Sequence, residues 1–252
     1  MIRVYLTGRI CVEEDGKVII SESEFRARQD RLAFAYLACE RAQPVPRERL
    51  AAVIWPNEMP PAWGIAISSV ISRLRRLLAC DALKAHSISV LSAFGQYQMQ
   101  LPADTWVDME AAAEAIDIAE GALRAGDPQR AFGPASVALI IAKRPFLSAS
   151  DGDWAAVQRG KLERTLLRAL ESLSRIWLAT GEPNLAVESA TQAISVDPFR
   201  ESSYQLLMQA LEATGNRPEA VRTYHHLRQL LSEELGTDPS TETEVLYLRL
   251  LG

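Results

Sequence analysis

The chain has 252 residues, 48% of them hydrophobic and 23% charged, which gives room for one large domain or two ordinary ones with an ample core. No apolar run approaches a membrane span, and the N-terminus is patterned like a strand, not like a charged-then-apolar leader, so a cytoplasmic protein is expected. Cys11, Cys39 and Cys80 lie far apart in apolar or helical surroundings; they imply neither a disulfide framework nor a zinc site and read as reduced core residues.

At the front, Val4 to Val12 and Lys17 to Ile20 are strand-like, joined across the hairpin pair Asp15-Gly16. Arg28 to Arg41 follows as a helix with Leu32, Phe34, Ala35, Leu37 and Ala38 facing inward. A second helical pattern runs from Pro46, which suits a first helical position, through Leu50, Val53 and Ile54 to Trp55, and Pro56 closes it. The third, Ile65 to Leu78, is the most informative. Ile67, Val70, Ile71, Leu74, Leu77 and Leu78 form one apolar stripe, and the opposite face carries Ser69, Ser72, Arg73 and Arg76 with Ser68 and Arg75 on its flanks. Three helices joined by short Pro-containing connections make a helix-turn-helix core. Ser87 to Leu91 and Gln96 to Leu101 then alternate around Phe94-Gly95 as a β-hairpin, where a winged helix keeps its wing.

A solvated basic face would explain the third helix by itself. Within a helix-turn-helix the same face suits a DNA major groove: serines let the backbone approach, and arginine reaches a guanine edge or grips phosphates. This reading gives Ser68, Ser69, Ser72 and Arg73 to base edges and Arg47, Arg49, Arg75 and Arg76 to phosphates, with Arg73 as the main base contact. Charge agrees with it. Residues 1–102 hold 13 Lys/Arg and 10 Asp/Glu, a net of +3, whereas residues 103–252 hold 14 and 22, a net of −8.

The second half repeats itself. Ala179-Thr-Gly-Glu-Pro-Asn-Leu-Ala186 is echoed by Ala213-Thr-Gly-Asn-Arg-Pro-Glu-Ala220, with Gly181 and Gly215 34 residues apart. That is the tetratricopeptide period, a pair of antiparallel helices with a small residue at the crossing. Ala125-Gly-Asp-Pro-Gln-Arg-Ala131 is a third copy, 55 residues before the second, with an insertion expected near Pro145 to Asp153. Such arrays hold peptides or partner helices and do no bond chemistry. Tyr204, Gln205, Tyr224, His225 and Arg228 are the candidate partner-binding residues, although Tyr at helical spacing also fits a core.

Taken in order, Pro44-Val-Pro-Arg-Glu-Arg-Leu50 with Trp55, Val70-Ile-Ser-Arg-Leu-Arg-Arg-Leu-Leu78, Val107-Asp108, Arg222-Thr-Tyr-His-His-Leu-Arg228 and Leu231-Ser-Glu-Glu-Leu-Gly-Thr-Asp-Pro-Ser240 resemble one known family. The first part is similar to the OmpR/PhoB-type winged helix, and the rest to the bacterial transcriptional activator domain of the Streptomyces antibiotic regulatory proteins (SARP family). The resemblance implies a mainly α chain with a small β component, a winged helix-turn-helix at 1–102 and a tetratricopeptide-like helical domain at 103–252. It implies a transcription activator that binds direct repeats of double-stranded DNA as a homodimer and contacts RNA polymerase or its sigma factor. Relatives usually carry Asn where this chain has Ile65, a longer amide at Ser68, polar residues at Trp63-Gly64 and an Arg in the wing turn. The alternative is a repeat-based adaptor or sensor of a peptide or small effector with weakened DNA binding. No catalytic, cofactor or metal site is read: His86, His225 and His226 lack ligand spacing, Asp151-Gly-Asp153 reads as a turn and helix cap, and nucleophile and phosphate-loop motifs are missing.

Overall fold

A computed structural model describes residues 1–252. The chain divides into two compact units, one of residues 1–111 and 144–161, the other of residues 112–143 and 162–252. This differs from a cut at 102/103.

In the first unit a four-stranded sheet has the order β3-β2-β1-β7, from β1 (Ile2–Tyr5), β2 (Cys11–Glu14), β3 (Lys17–Ile20) and β7 (Trp106–Val107). The expected strand Val4 to Val12 is two strands, with Val4 opposite Val12, because Gly8 adopts φ +75° and donates its N–H to Pro145 O at 2.7 Å. Asp15-Gly16 makes the expected turn, both residues with positive φ. Strand β7 runs parallel to β1, and Asp108 directly after it is fully buried. Its carboxylate accepts the N–H groups of Leu6, Thr7 and Met109 and the Thr7 hydroxyl at 2.7–3.0 Å. Burial pushes this carboxyl up, against those hydrogen bonds. The Val107-Asp108 motif therefore closes a sheet and starts a helix.

Helices α1 (Arg28–Cys39), α2 (Arg47–Ile54) and α3 (Trp63–Leu78) pack Leu32, Phe34, Leu50, Ile67, Ile71 and Leu74 into one core. Short α4 (Asp81–Ala85) leads to the wing, β5 (Ser89–Ala93) and β6 (Gln96–Gln100). Pro46 is not helical but ends a short edge strand, β4 (Val45–Pro46), in a sheet of order β4-β6-β5; an edge position tolerates the missing N–H. Residues 144–161 join this unit through Trp154, whose ring meets those of Tyr36 and Phe146 edge-on at 5.0 and 5.7 Å.

The second unit is built of helix hairpins: α5 (Asp108–Arg124) with α6 (Pro128–Ala142), α7 (Asp153–Thr180) with α8 (Pro183–Val196), and α9 (Glu201–Ala213) with α10 (Arg217–Leu235), followed by α11 (Thr241–Leu251). The unit boundaries fall inside α5 and α7. Each hairpin turns the same way. Gly126, Gly181 and Gly215 have φ +75°, +82° and +78°, and the residue after each donates to the carbonyl five back (Ala122, Trp177, Leu211). This left-handed helix stop needs glycine, and a proline in the first turn restarts the next helix. Ala131, Ala186 and Ala220 at the crossings are fully buried. The long spacing between the first two copies arises largely because α7 has 28 residues where α9 has 13.

Buried charge ties the hairpins together. Glu171 of α7 accepts from Arg200 Nε at 2.9 Å, from Ser203 Oγ at 3.1 Å and from the Ser202 hydroxyl. Burial pushes its carboxyl up, but Arg200 and Ser202 outweigh that and hold it below the ordinary glutamate value of 4.5. A depressed folded pKa adds stability above the unfolded value, and this is lost as pH falls through the folded one. Glu171→Gln should therefore cost stability at neutral pH and flatten the loss of stability below pH 4.5. Denaturant midpoints of the two proteins across acid pH check this; parallel curves would refute it.

The Leu235-Gly-Thr-Asp-Pro-Ser240 motif is also structural. Gly236, at φ +66°, ends α10, and Ser240 caps α11 while its N–H and hydroxyl bind the Glu201 carboxylate at 2.8–3.1 Å.

Candidate nucleic-acid interface

Helix α3 begins after Pro60-Pro61 and buries Ile67, Val70, Ile71, Leu74 and Leu78. At about 100° per residue, Ile65, Ser68, Ser69, Ser72 and Arg76 form one outward stripe, while Arg73 and Arg75 stand on opposite flanks. All five stripe residues are exposed, Ile65 most among the apolar side chains of the helix at 73%. Ser68 and Ser69 donate their hydroxyls to Gly64 O and Ile65 O at 2.9 and 3.0 Å, leaving lone pairs outward. Ser72 and Arg76 have no partner within the chain.

The flanking arginines hold the helix in place. Arg73 was expected to read a base edge; instead its Nε and Nη2 grip the Asp30 carboxylate of α1 at 2.7–3.0 Å. Asp30 is only 3% exposed, so its charge requires this partner, and the pairing raises the Arg73 pKa further. Arg75, expected on phosphates, donates from Nε to Val90 O and from Nη2 to Ser92 Oγ, both at 2.8 Å, and clamps α3 to β5.

Arg47 opens α2 and lies over the Trp63 ring, 4.8 Å from its centroid, while its backbone N–H donates to Gly95 O of the wing turn at 3.1 Å. This accounts for Trp63-Gly64: the indole carries the guanidinium, and a Cβ on Gly64 would stand 3.0 Å from Arg47 Nη2. The start of α2, the start of α3 and the wing turn thus converge. Arg49 is exposed elsewhere on α2, near the Tyr36 hydroxyl, whose pKa burial raises against the nearby guanidinium. It does not join this group.

Two of the candidate partner-binding residues belong to the core. Tyr204 and Tyr224 are 1% and 3% exposed, and Tyr224 stacks on Tyr247 at 3.9 Å. His225 and Arg228 are exposed on α10, His225 edge-on to Tyr247 and Arg228 Nε 3.4 Å from Asp238. A groove of about 480 Å³ between α7 and α9 presents one of the candidates, Gln205, together with Arg175, Ser202 and Gln209. Sequence periodicity found only Gln205 of this groove because its two walls come from different repeats.

No helix is long and apolar enough to cross a membrane. No cluster of His, Cys, Asp or Glu has the arrangement of a metal site.

Residues 107–251 match the family described as bacterial transcriptional activator domain. The chain is 29% identical over 250 residues to regulatory protein AfsR of Streptomyces coelicolor, covering 99% of this chain and 24% of AfsR. It is 25% identical to transcriptional regulatory protein MoaR1 of Mycobacterium tuberculosis, covering 88% of this chain and 72% of that protein. It therefore spans about a quarter of AfsR and most of MoaR1. A solved structure of Mycobacterium tuberculosis EmbR in complex with a low-affinity phosphopeptide superimposes with a TM-score of 0.85 at 21% identity, over 99% of this chain and 65% of that one. At that identity the likeness concerns the fold.

Proposed function

The chain belongs to the bacterial transcriptional activator domain family, and from this we propose that it is a sequence-specific DNA-binding transcription regulator of the SARP type. The observation that carries the reading is the outward stripe of α3: a helix whose other face is core presents Ile65, three serines and an unpartnered Arg76, with both flanking arginines committed to holding it. Arg76 is assigned to a base edge or its adjoining phosphate, and Ser69 and Ser72 to close approach. Ile65 is assigned to thymine methyl contact where a polar side chain would read hydrogen bonds. Arg47, at the start of α2, is assigned to a phosphate.

Activation, binding to direct repeats as a homodimer and contact with RNA polymerase or its sigma factor complete the reading, in the cytoplasm where such DNA is found. These rest on the family and not on a contact in this chain.

Arg47→Gln should weaken binding evenly on specific and random duplexes and lower the slope of log affinity against log salt by about one. Titrations at several salt concentrations measure it; a loss confined to one base position would remove Arg47 from the phosphate role.

A second reading, a peptide-holding array, is favoured by the α7–α9 groove, whose exposed Arg175 suits an acidic segment. It is compatible with the first, since it concerns the other unit.

A further inference from the structure

The wing turn has a residue that the turn itself does not favour. Ala93 pairs with Gln96, leaving a two-residue loop, Phe94-Gly95, with φ +51° and +75°. Positive φ at both positions suits Asn-Gly or Asp-Gly, whereas a bulky side chain there is strained. The same chain makes the same kind of turn with Asp15-Gly16, at φ +48° and +84°. Nor does packing account for the phenylalanine. Its ring is fully exposed and meets no other ring, although five of the six phenylalanines in the chain are more covered.

The tip is held firmly beside the α3 stripe. Gly95 O takes the Arg47 N–H, Val45 and Pro46 pair with Tyr97 and Gln96, and Arg75 grips β5. A strained residue kept on a rigid support points to function.

We propose that Phe94 is an apolar wedge that enters the minor groove beside the site read by α3 and partly unstacks one base step. The proposal rests on the DNA-binding reading. Nucleic acid is favoured over an apolar protein surface because Gly95 O binds the start of α2, whose Arg47 lies over Trp63 at the start of α3, so the ring stands on the side of the unit that the DNA-binding reading gives to the duplex. Apolar wedges of this kind kink duplexes by roughly 20–90°. An apolar ring in the groove would read shape and ease of unstacking, not groove potential.

The test uses the full chain and a duplex that the wild-type protein recovers from a random-sequence pool, labelled at both ends for energy transfer. Phe94→Asn places the favoured residue in the turn, so the variant should melt at a higher temperature than wild type. It should bind about tenfold more weakly, and its bound duplex should stay straight while the wild-type complex is bent. Equal affinity and equal bend in the two complexes would overturn the wedge while leaving the α3 reading intact. If wild type recovers no common duplex, both fall together.

Discussion

Arg73→Ala should lose about 3 kcal/mol of folding stability, the lower end of what removing one partner of a buried ion pair costs. The substitution strands the Asp30 carboxylate, 3% exposed, inside the core between α1 and α3. The lower end applies because Arg73 itself is 33% exposed and its side of the pair is partly hydrated. Against a typical total of about 5–15 kcal/mol this is a large fraction, so much of the protein would populate unfolded forms under mild denaturant. Tryptophan fluorescence through a urea titration reads the change, Trp55, Trp63, Trp106 and Trp154 lying in this unit. Asp30→Leu with Arg73→Met should restore most of the loss, since an apolar pair of similar volume carries no stranded charge. An unchanged midpoint for Arg73→Ala, with binding lost at one base position, would return Arg73 to the role of base reader.

The second large effect is expected at Arg76. With no partner inside the chain, Arg76→Ala should leave the urea midpoint where it is. Binding to the specific duplex should weaken by about 1–3 kcal/mol, roughly 5- to 150-fold, with little change on random DNA. The two arginines stand three residues apart on one helix, and the proposed reading gives one to stability and the other to recognition. Equal losses on specific and random DNA would make Arg76 a phosphate contact only.

Much of this architecture is legible in the sequence because its causes are local. The apolar stripe of α3, the alternation of the wing and the Gly-Pro hairpin signals each reflect periodicity or backbone conformation within a few residues. The partner of Arg73 is not local. Asp30 lies 43 residues away, and only its position on the α1 face shared with Phe34 and Leu37 hints that its charge is buried. Tyr204 and Tyr224 went to the core for a related reason: helical spacing gives a face, and neighbouring hairpins decide which faces are covered. The strand break at Gly8 depends on a carbonyl from Pro145, and the grouping of 144–161 with the first unit depends on Trp154, both far along the chain. In the motifs of the family, Val107-Asp108 and the Gly-Thr-Asp-Pro-Ser segment turn out to be supports for the fold. The proposed reading leaves recognition to side chains that the fold does not use.

The most direct test of the central claim is duplex selection from a random-sequence pool with the full chain and with its Arg76→Ala variant, at near-physiological salt. The account predicts one shared sequence motif for wild type and its loss for the variant at equal folded content. No shared motif from wild type, or the same motif recovered equally well by the variant, would contradict it.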